Sequence, residues 1–323
     1  MPTDVPKAAR GGRVWLGLLV LYIVWGSTYL GIAVAVETIP PFLMAGIRFA
    51  LAGLVLLTWS IVRAGGAFRA PTLVEWRDSA IVGAMLLGGG MGMVAWGEQT
   101  IPSGIAALII ALMPVWVAVL GRLFLGERLP GAAVIGIVVG FAGVGILVAP
   151  TIAGGAGALD PLGLAALLIS PISWSAGSLF ASHRATLPKQ PLVATGLQMV
   201  TGSLVLFGMA LLTGEPERFD PGAVSRDSLV ALAYLTVIGS LLAFTVYGWL
   251  LRVAPLPFIA TYAYVNPVVA VLLGWAFAGE AMSPRALAGA AIIVAGVALI
   301  VSGRASPGTR HVARAPERAR GPA

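Results

Sequence analysis

The chain has 323 residues, of which 59% are hydrophobic and only 10% charged, and its mean hydropathy is +0.96. Soluble domains are about half apolar and about a quarter charged, so a water-soluble core is excluded as the main architecture. The net charge of +7 would suit nucleic acid, but the basic residues sit in short loops and tails between apolar runs, where membrane topology places them.

Apolar runs of about 18 residues or more can cross a bilayer as helices. Ten such spans are predicted, at 14–35, 41–62, 79–97, 102–122, 131–149, 161–182, 191–213, 228–250, 257–278 and 284–302. Pro40-Pro41, Gly65-Gly66, Pro150, Gly154-Gly155 and Pro221-Gly222 punctuate the connections. Ala33-Val34-Ala35 resembles a signal-peptide cleavage site, but the run before it is longer than a signal core of about 7–15 residues. It also carries Trp25, Ser27, Thr28 and Tyr29, so it is read as the first span. With the N-terminus inside, the inner segments collect sixteen Lys and Arg residues, from Lys7 to Arg320. The outer segments collect Arg218, Arg226 and Arg285 alone. This bias predicts that both termini are cytoplasmic.

Residues 101–148 align with residues 254–301 without a gap, and about 15 of the 48 positions are identical. Pro102 falls on Pro255, Pro114 on Pro267, Gly126-Glu127 on Gly279-Glu280 and Gly143 on Gly296. The chain is therefore expected to be an internal duplication. It divides into a cytoplasmic segment 1–13, a first repeat 14–149, a linker 150–160, a second repeat 161–302 and a disordered basic cytoplasmic tail 303–323. The expected fold class is an all-α integral membrane protein of ten transmembrane helices. An odd number of helices per half turns the second half upside down, so the repeats are inverted, an arrangement suited to alternating access.

Polar residues inside apolar spans are costly and mark function or structure. Arg48 is expected about 10 Å deep, seven residues past Pro41 at 1.5 Å per residue. It either meets an anionic group in a cavity, bonds helix carbonyls or snorkels outward. Glu98, beside Trp96 at the end of the third span, is a candidate gate, a partner of Arg48 or a solvated loop acid. The first helix of each half carries a polar aromatic cluster, Trp25-Gly26-Ser27-Thr28-Tyr29 and Ser173-Trp174-Ser175-Ala176-Gly177-Ser178. These clusters either line a solute path or serve close packing. Pro114 and Pro267 predict matched kinks, the second with Tyr262, Tyr264 and Asn266 beside it. Gln198 and Tyr247 are candidates for the same cavity. The stripe of Gly136, Gly140 and Gly143, echoed by Gly289 and Gly296, suits helix pairing within the chain or in a homodimer. No acid is expected at mid-depth in any span. Cysteine is absent and histidine is limited to His183 and His311, so no cofactor or metal is expected.

Several of these segments resemble EamA-type members of the drug/metabolite transporter superfamily. They are Tyr22–Tyr29, Pro40-Pro41, Arg48-Phe49, Ile101–Leu108, Gly126-Glu127, Tyr262–Val268 and Gly279-Glu280. The likeness covers about residues 14–303 and is closest to inner-membrane permeases of that family. It implies ten helices in two inverted repeats around a central cavity, lined by the first four helices of each half. Carried onto this chain, the cavity residues are Trp25, Ser27, Tyr29, Arg48, Trp96, Trp174, Ser178, Gln198, Tyr247, Tyr264 and Asn266, with Pro114, Pro267 and Glu98 as gating or kink positions. It also implies a secondary carrier of amino acids, metabolites or drugs, often an exporter, in a bacterial inner membrane. The expected partners are a small solute and membrane lipid, and not nucleic acid. A non-transporting scaffold gains nothing from an inverted repeat. An intramembrane enzyme lacks a mid-span acid pair, a Cys nucleophile or a metal motif.

Overall fold

The computed structural model describes residues 12–126, 131–153, 159–254, 262–280 and 283–305. Among these residues the secondary structure is helical and contains no strand. In chain order the helices are α1 (Gly12–Ala35), α2 (Pro41–Ala64), α3 (Leu73–Gly97), α4 (Ser103–Ile110 continued by Met113–Leu125) and α5 (Gly131–Ala153). There follow α6 (Pro161–His183), α7 (Pro191–Leu212), α8 (Arg226–Tyr234, Leu235–Leu242 and Ala243–Val253 in series), α9 (Tyr262–Ala278) and α10 (Pro284–Ala305). Seven helices among the described residues, α1 to α4 and α6 to α8, are long and apolar enough to cross a membrane. Shorter apolar stretches lie in α5, α9 and α10.

Local sequence accounts for the helix starts. Pro41, Pro161 and Pro191 occupy first helical positions, where a missing N–H costs nothing. α3 begins at Leu73, six residues before the expected start of the third span. Thr72 and Glu75 form a reciprocal capping box there, a pattern visible as Thr-x-x-Glu. Gly126 ends α4 with φ +68 and its twin Gly279 follows α9 with φ +64, a left-handed conformation that favours glycine.

Equivalent helices of the two halves pair antiparallel. In α2 against α7, Gly46 abuts Phe207, while a Cβ on Gly53 would lie 2.9 Å from the Gly196 carbonyl oxygen. In α5 against α10, Gly143 meets Gly289 and Ile293, and Gly296 meets Gly136 and Gly140. The glycine stripe is thus used within the chain. α1 runs against α8, where Gly17 meets Leu250 and Gly31 meets Leu235. α6 likewise runs against α3, where Gly163 and Leu167 meet Gly97, and Gly177 meets Met85. Both α3 and α8 are wound as π-helix in their middles, at Ala84–Gly92 and Leu235–Leu242. Such segments re-aim side chains and recur at functional sites.

Carboxylates tie the halves together. Glu280 accepts from Ser103 N at 2.7 Å, Ser103 Oγ at 2.6 Å and Gly104 N at 3.0 Å, which satisfies the first amides of α4. Glu215 accepts from Phe42 N and Leu43 N at the start of α2. Burial pushes the Glu215 carboxyl up from its ordinary range, against the pull of those two amides and of Arg218. Asp78 accepts from Thr186 N at 2.7 Å.

This packing sets three expectations for stability. Gly143→Ala places a Cβ 2.9 Å from the Ile293 backbone nitrogen and is expected to cost about 1–3 kcal/mol. Gly145→Ala, with nothing within 4 Å, leaves stability unchanged or slightly higher. Glu280→Ala strands three donors and is expected to cost about 1–3 kcal/mol. Thermal unfolding of the purified variants in detergent checks all three.

Candidate functional site

The two halves enclose a central cavity of about 90 Å³. α1 lines it with Trp25, Thr28, Tyr29 and Ile32, the i, i+3, i+4 and i+7 positions of one helical face. α2 adds Arg48 and Phe49, α3 adds Met91 and Val94, and α4 adds Ile110 and Met113. From the second half come Ser170, Pro171 and Trp174 of α6, Phe244 of α8, and Tyr262 and Asn266 of α9. Among the described residues, α5, α7 and α10 contribute no lining residue, and α5 and α10 pack on each other instead.

The chemistry is concentrated in a few groups. Arg48 is 2% exposed. Its Nε donates to Ser240 Oγ at 2.9 Å, and its guanidinium carbon lies 4.8 Å from the centroid of the Phe49 ring. Among the described residues no carboxylate stands within ion-pair distance of it. Ser240 lies in the π-wound part of α8, which turns its hydroxyl towards α2. Across the cavity, Asn266 Oδ1 is buried without a donor among the described residues. A fixed cation and an acceptor without a donor thus belong to side chains that line the same small space. The rest of the wall is mostly apolar, with six aromatic side chains among its residues. Trp25 meets Tyr262 edge-on at 4.9 Å and Phe244 at 5.8 Å. Trp174 stands at the position in α6 that Trp25 holds in α1.

Several expected cavity residues sit elsewhere. Ser27 is rotated about 200° from Trp25 on α1, and its hydroxyl meets Tyr234 Oη at 2.6 Å and the Val24 carbonyl. Trp96 is rotated likewise from Val94 and lines a second cavity of about 520 Å³ with Gln99, Glu37 and Asp160. Ser178 Oγ bonds back to the Trp174 carbonyl. Gln198 lies on α7, whose contact with α3 is too close for a side chain at Gly83. Tyr247 backs the Trp25 ring at 5.3 Å without reaching the cavity wall. The Tyr264 side chain, and Glu127 of the first Gly-Glu pair, lie outside the described residues.

The proline pair behaves asymmetrically. α4 breaks at Ala111-Leu112 and restarts with Pro114 in its first turn, and Ser175 Oγ donates to the Met113 carbonyl at 3.1 Å. α9 runs continuously through Pro267. Glu98, one turn past Val94, is 6% exposed, and neither of its carboxylate oxygens has a donor among the described residues. It is therefore not a solvated loop acid. Ser170 is a cavity residue that the sequence reading did not name, and Thr28 and Tyr262 were named only within their local clusters. Thr28 could have been found from the i, i+3 spacing to Trp25, and Ser170 from the i, i+4 spacing to Trp174.

Comparison with known proteins agrees with this architecture. The family model described as the EamA-like transporter family matches residues 13–149 and again 161–302. The chain is 38% identical over 288 residues to YedA of Escherichia coli (strain K12), described as an uncharacterized inner membrane transporter, covering 89% of this chain and 90% of YedA. It is 26% identical over 310 residues to a probable terminal-alkyne amino-acid exporter of Streptantibioticus cattleyicolor, covering 94% and 98% of the two chains. A crystal structure at 23% identity matches with a TM-score of 0.60, covering 89% of this chain and 96% of that one, and shares the fold. Two successive matches that together span most of the sequence establish that the chain belongs to the EamA-like transporter family.

Proposed function

We propose that this transporter is a secondary carrier that binds a small amphipathic solute, of the amino-acid class, in the central cavity. Ten transmembrane helices form two inverted five-helix repeats, and the Lys and Arg distribution puts both termini in the cytoplasm. The antiparallel pairing of α2 with α7 and of α5 with α10 supports the inversion. Two halves related in this way can rock about a shared site and expose it alternately. The membrane is a bacterial inner membrane, as the name of YedA states for that relative. Export is the direction named for the Streptantibioticus relative.

One observation carries the reading of the solute. The buried Arg48 guanidinium has no acidic partner within ion-pair distance among the described residues, and it shares the cavity with the open acceptor Asn266 Oδ1. A buried cation seeks an anion, and an open carbonyl acceptor seeks a donor such as an ammonium or hydroxyl. A molecule with both, plus an apolar body for Trp25 and Trp174, satisfies the site.

Purified protein reconstituted in liposomes is expected to catalyse counterflow of at least one of the standard L-amino acids. A bound solute at about a hundred times its Kd also stabilises the fold by about 2.7 kcal/mol. Arg48→Gln is expected to weaken binding of carboxylate-bearing solutes by about tenfold or more, which is about 1.4 kcal/mol. Transport of a carboxylate solute that is identical in Arg48→Gln and wild type removes Arg48 from this role.

A further inference from the structure

Glu98 stands apart from every other acid described. Glu75, Asp78, Glu215 and Glu280 each accept hydrogen bonds from backbone amides. Glu98 accepts none among the described residues, although more than nine-tenths of its surface is covered. Its position is also special. Met91 and Val94, seven and four residues earlier on the same face of α3, line the central cavity, while Trp96 and Gln99 on either side of it line the second cavity. The carboxyl is therefore set in the partition between two spaces.

We propose that Glu98 is the proton-binding group of this carrier, taking up one proton at a carboxylate oxygen from the aqueous phase of the second cavity and releasing it when the partition opens to the other side. The inference rests on the carrier reading above. An ionised carboxylate without donors is costly in a covered site, and one added proton removes the charge. The charged groups acting on it are Glu280 beyond α9 and Arg48 from α2, and Glu98 in turn acts on the Tyr29 hydroxyl of α1. From α6, the uncharged Gly163 and Leu167 pack on the end of α3, and Asp160, which caps α6, accepts from Thr100 Oγ1 two residues past Glu98. Of the two charged groups acting on Glu98, Arg48 faces the central cavity. Neutralising Glu98 leaves the Arg48 charge to a carboxylate solute, and the solute in turn favours the protonated Glu98 by the same factor. Proton and solute carboxylate are thereby coupled through one guanidinium.

The test is an infrared pH titration of lipid-reconstituted protein, which needs no solute. Wild type is expected to retain a protonated-carboxyl C=O band well above the pH of about 4.3 at which exposed glutamates ionise. Glu98→Gln is expected to lose the greater part of it, and Glu98→Asp, which keeps an acid, to show it with a shifted midpoint. The Glu215 carboxyl is also raised by burial, so the same spectra are taken in a Glu215→Gln background, where a protein without such a band, or a band undiminished by Glu98→Gln, overturns the assignment. In the same liposomes loaded with a pH-sensitive dye, counterflow of a mixture of the standard L-amino acids is expected to move protons in wild type and not in Glu98→Gln. Amino-acid flux without proton flux in wild type overturns the coupling and leaves the carrier reading standing.

Discussion

A helix that begins inside a bundle leaves its first amides with no partner, and hydrocarbon cannot supply one. This chain meets the problem by lending carboxylates across its two halves. Glu280 of the second half closes the start of α4 in the first, and Glu215 does the same for α2. Asp78 of the first half meets the Thr186 amide of the second. Each contact satisfies donors that would otherwise be costly and holds one half against the other at a helix end, leaving the middle of the interface for side chains of another kind.

Between those ends the packing is governed by small residues. Gly53 against Gly196, and Gly143 and Gly296 against α10 and α5, bring backbones so close that a methyl group would collide. Lipid offers no hydrophobic drive for helices to associate, so such close contacts carry the association. The duplication makes the arrangement economical, because a glycine kept at one position of the repeat serves both sides of the same antiparallel seam. The positive-φ pair Gly126 and Gly279 has the same logic at the ends of α4 and α9.

Where symmetry is relaxed, the cavity appears. α4 breaks before Pro114 whereas α9 continues through Pro267. Asn266, where the first half has Met113, keeps an open acceptor in the wall. The π-wound segments of α3 and α8 are matched in place but do different jobs. One presents Met91 to the cavity, and the other presents Ser240 to Arg48. The lining is thus two related helix sets carrying unlike side chains, and that suits a solute with unlike ends.

Composition and apolar run length alone determined that the chain belongs in a membrane, and the 153-residue shift determined that it is duplicated. Trp25, Tyr29, Arg48, Trp174 and Asn266 were legible as cavity residues, because a polar or amphipathic group at mid-span is costly against lipid and turns towards a polar interior. The start of α3 was missed, because the apolar run begins only at residue 79, although the Thr72–Glu75 spacing carries a helix-start signal. Whether Thr28 or its neighbour Ser27 faces inward depends on which side of α1 meets α8, and a run with so little amphipathic contrast carries no sign of that. The fate of Glu98 depends on α1, α2 and α6 closing over a helix end that reads locally like a loop. Burial, partnership and the facing of a helix are properties of neighbours distant in sequence, and only the packed tertiary structure decided them.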